Sequence, residues 1–150
     1  MSDLRELYQA TILDHHRHPR NRGRLEHPTG SAQGHNPLCG DRIQLDVRVE
    51  GGAIEDVRFE GSGCAISTAS ASLMTQAVKH KPVSEALKLF ESFHALLTSD
   101  PHAEIDTAAL GKLAVFGGVR EFPVRVKCAT LAWHTLRNAL EGTGQIARTE

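Results

Sequence analysis

The chain has 150 residues, 40% of them hydrophobic and 23% charged, with a formal net charge of −1. That is enough apolar content and length for one domain with its own core, expected to span 1–150, burying about 68–70% of its unfolded surface without staples. The near-neutral charge gives no reason to expect nucleic acid or an anionic membrane as partner, and no apolar run approaches the roughly 18 residues of a membrane span.

Residues 1–18 read as a helix. Ser2 is a cap candidate, and Asp3 and Glu6 suit the positive end of the helix dipole. Leu4, Leu7, Tyr8 and Ile12 form an apolar stripe, and Pro19 ends the helix. Met1–Ala10 lacks a secretory apolar core, so a cytoplasmic, reducing setting is expected. The segment His15–Arg24, HHRHPRNRGR, is a polar loop. Its His15 and His18 are spaced to clamp a surface metal, although solvated cations at a helix end are commoner. It lacks the interleaved aromatics of a nucleic-acid surface.

A short strand is expected near Ser31–His35. Ile43, Leu45, Val47 and Val49 alternate with polar residues as a half-buried strand does. Gly51-Gly52 signals a hairpin, and Val57 and Phe59 mark the return strand. Ile54 is out of phase with them, which calls for a bulge or a late strand start. Beyond Gly61-Ser62-Gly63 the period becomes helical, through Ile66, Ala69, Ser70, Leu73, Ala77 and Val78 to about Lys79. A second helix face is expected at Val83, Leu87, Phe90, His94 and Leu97. Residues Thr98–Asp106 break it, a helical turn follows at Thr107–Leu110, and Gly117-Gly118 is read as a further break. The last helix is expected from about Cys128 to Glu141, with Leu131, Thr135, Leu136, Ala139 and Leu140 facing inward. Trp133 falls outside that stripe, covering the helix end or facing a partner. Gly142 is the stop, and 143–150 reads as a flexible tail. The order gives an α+β fold, a small antiparallel sheet packed against helices.

The three cysteines, an odd and sparse set, do not read as a disulfide framework. Cys39 lies in the turn NPLCGD, Cys64 between a strand end and a helix start, and Cys128 at the expected start of the last helix. Backbone N–H groups at a helix start favour thiolate. Three thiolates with Asp41 suit tetrahedral Zn²⁺, but no CxxC pair supports it. A buried filler role for one cysteine and a plain turn role for Asp41 remain open. His35, four residues before Cys39, could reach the site from the loop and support its ligands. His134, on the last helix, falls off the Cys128 face at about 3.6 residues per turn.

Taken together, NPLCGD, GSGCAISTASASLM, RVKCATLAWHT and LYQATILDHHRHPRNRG resemble the SufU branch of the IscU/NifU-like iron–sulfur assembly proteins, over nearly the whole chain. The resemblance implies a metal site at one end of the fold, with Cys39, Asp41, Cys64 and Cys128 as ligands. It implies a pyridoxal-phosphate cysteine desulfurase of the SufS type as partner, with the downstream Suf assembly machinery beyond it and no nucleic acid or membrane. Cys39 would be the sulfur acceptor, exchanged on the metal for a histidine of the desulfurase. The chain would then act as a sulfurtransferase-like partner rather than a stand-alone enzyme. Scaffold-type relatives carry a histidine where Lys127 stands, and a shorter segment before Cys128. Both differences favour zinc over an iron–sulfur cluster, with the cluster scaffold as the alternative. Arg125 is a candidate for steering the partner or arranging the site, against a plain solvated charge. The Arg/His-rich loop would belong to the partner surface.

Overall fold

A computed structural model describes residues 2–104, 107–142 and 146–149, with the side chains of residues 2–8 outside the description. The cap at Ser2, the acidic first turn and the stripe through Leu4, Leu7 and Tyr8 therefore lie outside the described side chains. Helix α1 runs Ser2–Arg17 and stops before Pro19 as expected. Strands β1 (Gly30–Asn36), β2 (Asp41–Glu50) and β3 (Ala53–Ser62) form an antiparallel meander. Helices α2 (Ala65–Val78) and α3 (Val83–Thr98), a 3₁₀ helix (Gly111–Glu121) and α4 (Pro123–Glu141) follow. A two-residue strand, β4 (Ala147–Arg148), closes the order β3-β2-β1-β4.

The sheet is mixed rather than purely antiparallel, because β4 pairs in parallel with β1. Within the segment read as a tail, Ala147 and Arg148 pair with β1, while 143–145 and 150 lie outside the described residues. No helix among the described residues is long and apolar enough to cross a membrane.

Gly51 and Gly52, at φ +59° and +78°, turn β2 into β3. Just beyond, Val49 pairs with Ile54 and Arg48 with Asp56, which leaves Glu55 as the extra residue of a bulge. That bulge resolves the phase conflict: Ile54 and Val57 are both fully buried. Strand β1 carries almost no apolar side chains because α4 lies directly on it. An added Cβ at Gly34 would collide with Thr135 Oγ1 and come within 2.8 Å of Ile43 Cγ2, and one at Gly30 would meet the Ala139 carbonyl.

The helical layer departs from the sequence reading in three places. The buried face of α3 is Ala86, Phe90, Phe93, Leu96 and Leu97, while His94 is exposed. Gly117-Gly118 does not break the chain, since the 3₁₀ helix runs through it. Helix α4 starts five residues before Cys128, with Pro123 in its first turn, where a missing N–H costs nothing. Because α4 packs on the sheet, α2, α3 and the 3₁₀ helix, it is buried around most of its circumference. Trp133 is accordingly fully buried, against the expectation that it covers a helix end or faces a partner. Its indole stacks on Phe93 at 4.9 Å and on Phe90 at 6.0 Å. Gly142 ends α4 in the left-handed region, φ +66°, as its sequence position suggests.

His134 sits edge-on to Phe90 at 5.0 Å, with the His94 ring at 5.8 Å and Arg137 beside Nδ1. Burial, then the charges of Arg137 and His94, push its imidazole down to about 4. Burial also lowers His15, helped by Arg20. Both groups bind protons more readily in the unfolded chain, so stability is fully present above pH about 6.5 and falls as pH drops toward 4. Urea melts across that range should show the decline, and His134→Gln should flatten part of it. An unchanged slope in the variant would remove His134 as a cause.

Candidate metal centre at the end of the sheet

The Asn36–Asp41 pair closes the β1–β2 hairpin, and the turn between them carries Cys39. Gly40, at φ +73° with open space around its Cα, lets that turn reverse. Cys39 and Leu38 are exposed at its tip. Asp41 starts β2 on the inward face and is fully buried. Its Oδ1 accepts the Cys64 N–H at 2.9 Å, and its Oδ2 lies 3.4 Å from Asn36 Nδ2. Gly63 is a glycine for this reason, because a Cβ there would lie 2.6 Å from Asp41 Oδ1.

Cys64 is the N-cap of α2, with Sγ 3.5 Å from the Ser67 N–H. That agrees with its expected place at a helix start. Cys128 does not: it lies in the second turn of α4 and is buried. Among the described residues its Sγ is bonded to Asn36 and Cys39 rather than to an N–H of a helix start, and its thiol is pushed far up. Burial is the main cause, followed by hydrogen bonding to Cys39 and Asp41 and the neighbouring Cys64. Cys128 Sγ is 3.2 Å from Cys39 Sγ, well beyond the roughly 2.05 Å of a disulfide. One ligand atom each from Cys39, Asp41 and Cys128 falls within 4.8 Å of the others. Cys64 Sγ stands outside that tight set but close enough to act on Cys128.

These donors suit a cation. A fully buried carboxylate is costly unless a positive charge compensates it. Among the described residues Asp41 has no ion pair, and the groups turned toward it are thiols and N–H donors. Thiolates with a carboxylate are a donor set for Zn²⁺, and thiolates equally hold iron–sulfur clusters.

Asn36 is the residue that sequence reasoning missed. It is fully buried, its Nδ2 reaches both Asp41 and Cys128 Sγ (3.5 Å), and its Oδ1 accepts the Leu38 N–H at 3.2 Å. Before a proline it reads as an ordinary turn residue, and only its pairing opposite Asp41 gives it away. His35, expected behind the site, alternates to the other face of the sheet. Arg125 is exposed, with its guanidinium 4.8 Å above the Phe122 ring and turned to that ring rather than to the thiols. Lys127 forms no ion pair among the described residues. A metal clamp by His15 and His18 is overturned: His15 is buried, with Nδ1 2.7 Å from Ser72 Oγ. The Arg20 N–H donates to the same hydroxyl, and Asn21 Nδ2 to Thr75 Oγ1 at 3.0 Å, so this loop is fastened to α2.

A small sheet backed by helices, gathering cysteines and an aspartate at one end, defines the class of iron–sulfur cluster biogenesis proteins of the IscU/SufU kind. The chain belongs to the NifU-like N-terminal domain family, whose model matches residues 7–140. It is 41% identical over 139 residues to the zinc-dependent sulfurtransferase SufU of Bacillus subtilis (strain 168), covering 93% of this chain and 92% of that one. It is 40% identical over 141 residues to the iron–sulfur cluster assembly scaffold protein IscU of Streptococcus pyogenes serotype M1, covering 94% and 87%. Among solved structures it resembles FiSufU of Fervidobacterium islandicum AW-1, described as a scaffold for the SUF system. The TM-score is 0.80 at 35% identity, covering 87% of this chain and 93% of that one.

Proposed function

We propose that this protein is a zinc-dependent sulfur relay that takes persulfide sulfur from a SufS-type cysteine desulfurase. Cys39, Asp41, Cys64 and Cys128 would hold the ion. Zinc there would keep the coordinating thiols deprotonated at neutral pH. The observation that carries the reading is the contrast within the set: Cys39 is exposed at a turn tip, whereas Cys128 is buried in a helix and Cys64 is half-buried at a helix start. A turn with Gly40 can yield to an incoming protein without moving a helix.

Cys39 thiolate attacks the outer sulfur of the desulfurase persulfide. A new S–S bond forms on Cys39, the old one breaks, and its electron pair leaves with the desulfurase cysteine as thiolate. The sum is a transfer of one sulfur with no external oxidant or reductant. The near-equal identity to a sulfurtransferase and to scaffolds does not separate the two activities. Lys127, in the place where scaffold-type relatives carry histidine, supports the relay, because an ammonium offers no lone pair to a metal.

Metal analysis with a visible spectrum, on protein purified without added metal, tests the reading. Roughly one zinc per chain and no visible band is the expected result, since a tetrahedral site takes a single ion. Iron with sulfide and a visible band would replace the relay by the cluster scaffold. Asn36→Ala should lower metal affinity by about 10–100-fold, the usual effect of removing a partner that orients ligands. Chelator competition reads this, and unchanged affinity would reduce Asn36 to a turn residue.

A further inference from the structure

The outer face of the sheet carries a row of basic side chains beside the thiols. In the strand register, Arg148 of β4 stands beside His35 of β1, and His35 directly opposite Arg42 of β2. With strands about 4.8 Å apart, the three lie on one face within roughly 10 Å. Arg42 and His35 immediately adjoin Asp41 and Asn36 in sequence and alternate to the opposite face from them. The row therefore lies just behind the hairpin that presents Cys39. It borders an open concavity of ≈ 560 Å³ shared with Gln33, Gln44 and Glu60.

Basic groups set side by side across strands repel one another, and the fold gains nothing from the arrangement. Some basic side chains elsewhere do find carboxylates, Arg24 with Asp46, Lys79 with Asp56 and Arg20 with Asp14, but those stand singly rather than in a row. Among the described residues neither Arg42 nor Arg148 forms an ion pair, and Glu60, the acid lining the same concavity, is bonded to neither. Both arginines are exposed.

We propose that the strip Arg148–His35–Arg42 is a docking surface for a carboxylate-rich segment of the protein partner that engages the Cys39 turn. This rests on the reading that a desulfurase docks at that end. Guanidinium groups suit carboxylates through paired N–H donors. Nucleic acid is disfavoured, because the strip is short, carries no stacking aromatic, and sits on a chain of net charge −1.

The test compares the zinc-loaded full chain with the double variant Arg42→Glu, Arg148→Glu for binding to a SufS-type desulfurase at low and high ionic strength. Zinc stoichiometry is checked because Arg42 adjoins Asp41, and Lys88→Glu on α3 controls for charge alone. The double variant should bind at least about tenfold more weakly at low salt, mostly through a slower on-rate, with the gap shrinking as salt rises. Lys88→Glu should bind as the wild type does. Equal binding by the double variant overturns the strip. If the wild-type chain does not bind the desulfurase at all, the relay reading fails, and hexaglutamate peptide then decides the strip by NMR. Amide shifts confined to 33–35, 42–44 and 147–148, lost in the double variant, uphold it. No shifts, shifts elsewhere, or an equally strong response to a single-stranded oligonucleotide overturn it.

Discussion

Replacing Cys39 with alanine should reduce persulfide uptake from a desulfurase to background while leaving the fold intact and metal still bound. Cys39 is exposed at the tip of the β1–β2 turn, so its removal leaves no cavity in the core. The remaining donors lie on separate supports: Asp41 on β2, Cys64 at the cap of α2, Cys128 within α4. Truncating Cys128 should do the reverse. Its thiol is buried among Asn36, Cys39 and Asp41, so Cys128→Ala should empty the site of metal. Mass spectrometry after incubation with desulfurase and cysteine reads the first effect as the gain of one sulfur atom by the wild-type chain. A Cys39→Ala chain that still gains that sulfur would move the acceptor role to another thiol. Loss of metal from Cys39→Ala but not from Cys128→Ala would invert the assignment of anchor and acceptor.

Much of this site could be read from residue types at breakpoints. Cys39 lies between Pro37 and Gly40 in a turn, and Cys64 follows a glycine at a helix start, so local chemistry singled out these cysteines, while Asp41 reads equally as a turn residue and is distinguished only by its burial beside the thiols. The β2–β3 hairpin was equally legible, because alternation and a Gly-Gly turn are local signals. What escaped were properties set by neighbours distant in sequence. Strand β1 has little apolar pattern to read, since α4 presses so close that glycine is required at positions 30 and 34. The start of α4 lies five residues before Cys128, the residue that would open the helix from local chemistry alone. Pro123, a good first-turn residue, was the overlooked signal. Asn36 gains its role only through pairing with Asp41 and contact with Cys128 across the fold. Two stripes overlap on α3, and it is Phe93 rather than the exposed His94 that is buried against Trp133 of α4 and Phe116 of the 3₁₀ helix.

That aromatic contact carries the largest expected stability effect. Trp133 is fully buried, and its ring stacks on Phe93 and Phe90, while Phe93 meets Phe116 edge-on at 5.7 Å. Trp133→Ala should cost about 3–5 kcal/mol, the range for deleting a large buried aromatic. For a domain of this size that lowers Tm by roughly 6–20 °C. Trp133→Phe should cost far less. The indole Nε1 has no hydrogen-bond partner among the described residues, and leaving such a donor buried costs about 1–3 kcal/mol, which phenylalanine recovers against its smaller volume. A Trp133→Ala chain melting within a degree or two of wild type would mean that the α3–α4 contact is not the centre of the core. The same variant separates core from site. At a fixed free zinc concentration, bound zinc raises stability by an amount set by its affinity for the folded chain. If the stack merely holds α4 in place, the deficit of Trp133→Ala should be the same with and without zinc. If it also sets Cys128, one helical turn and a half earlier on α4, the deficit should widen when zinc is added, because the folded variant would then bind the ion less tightly.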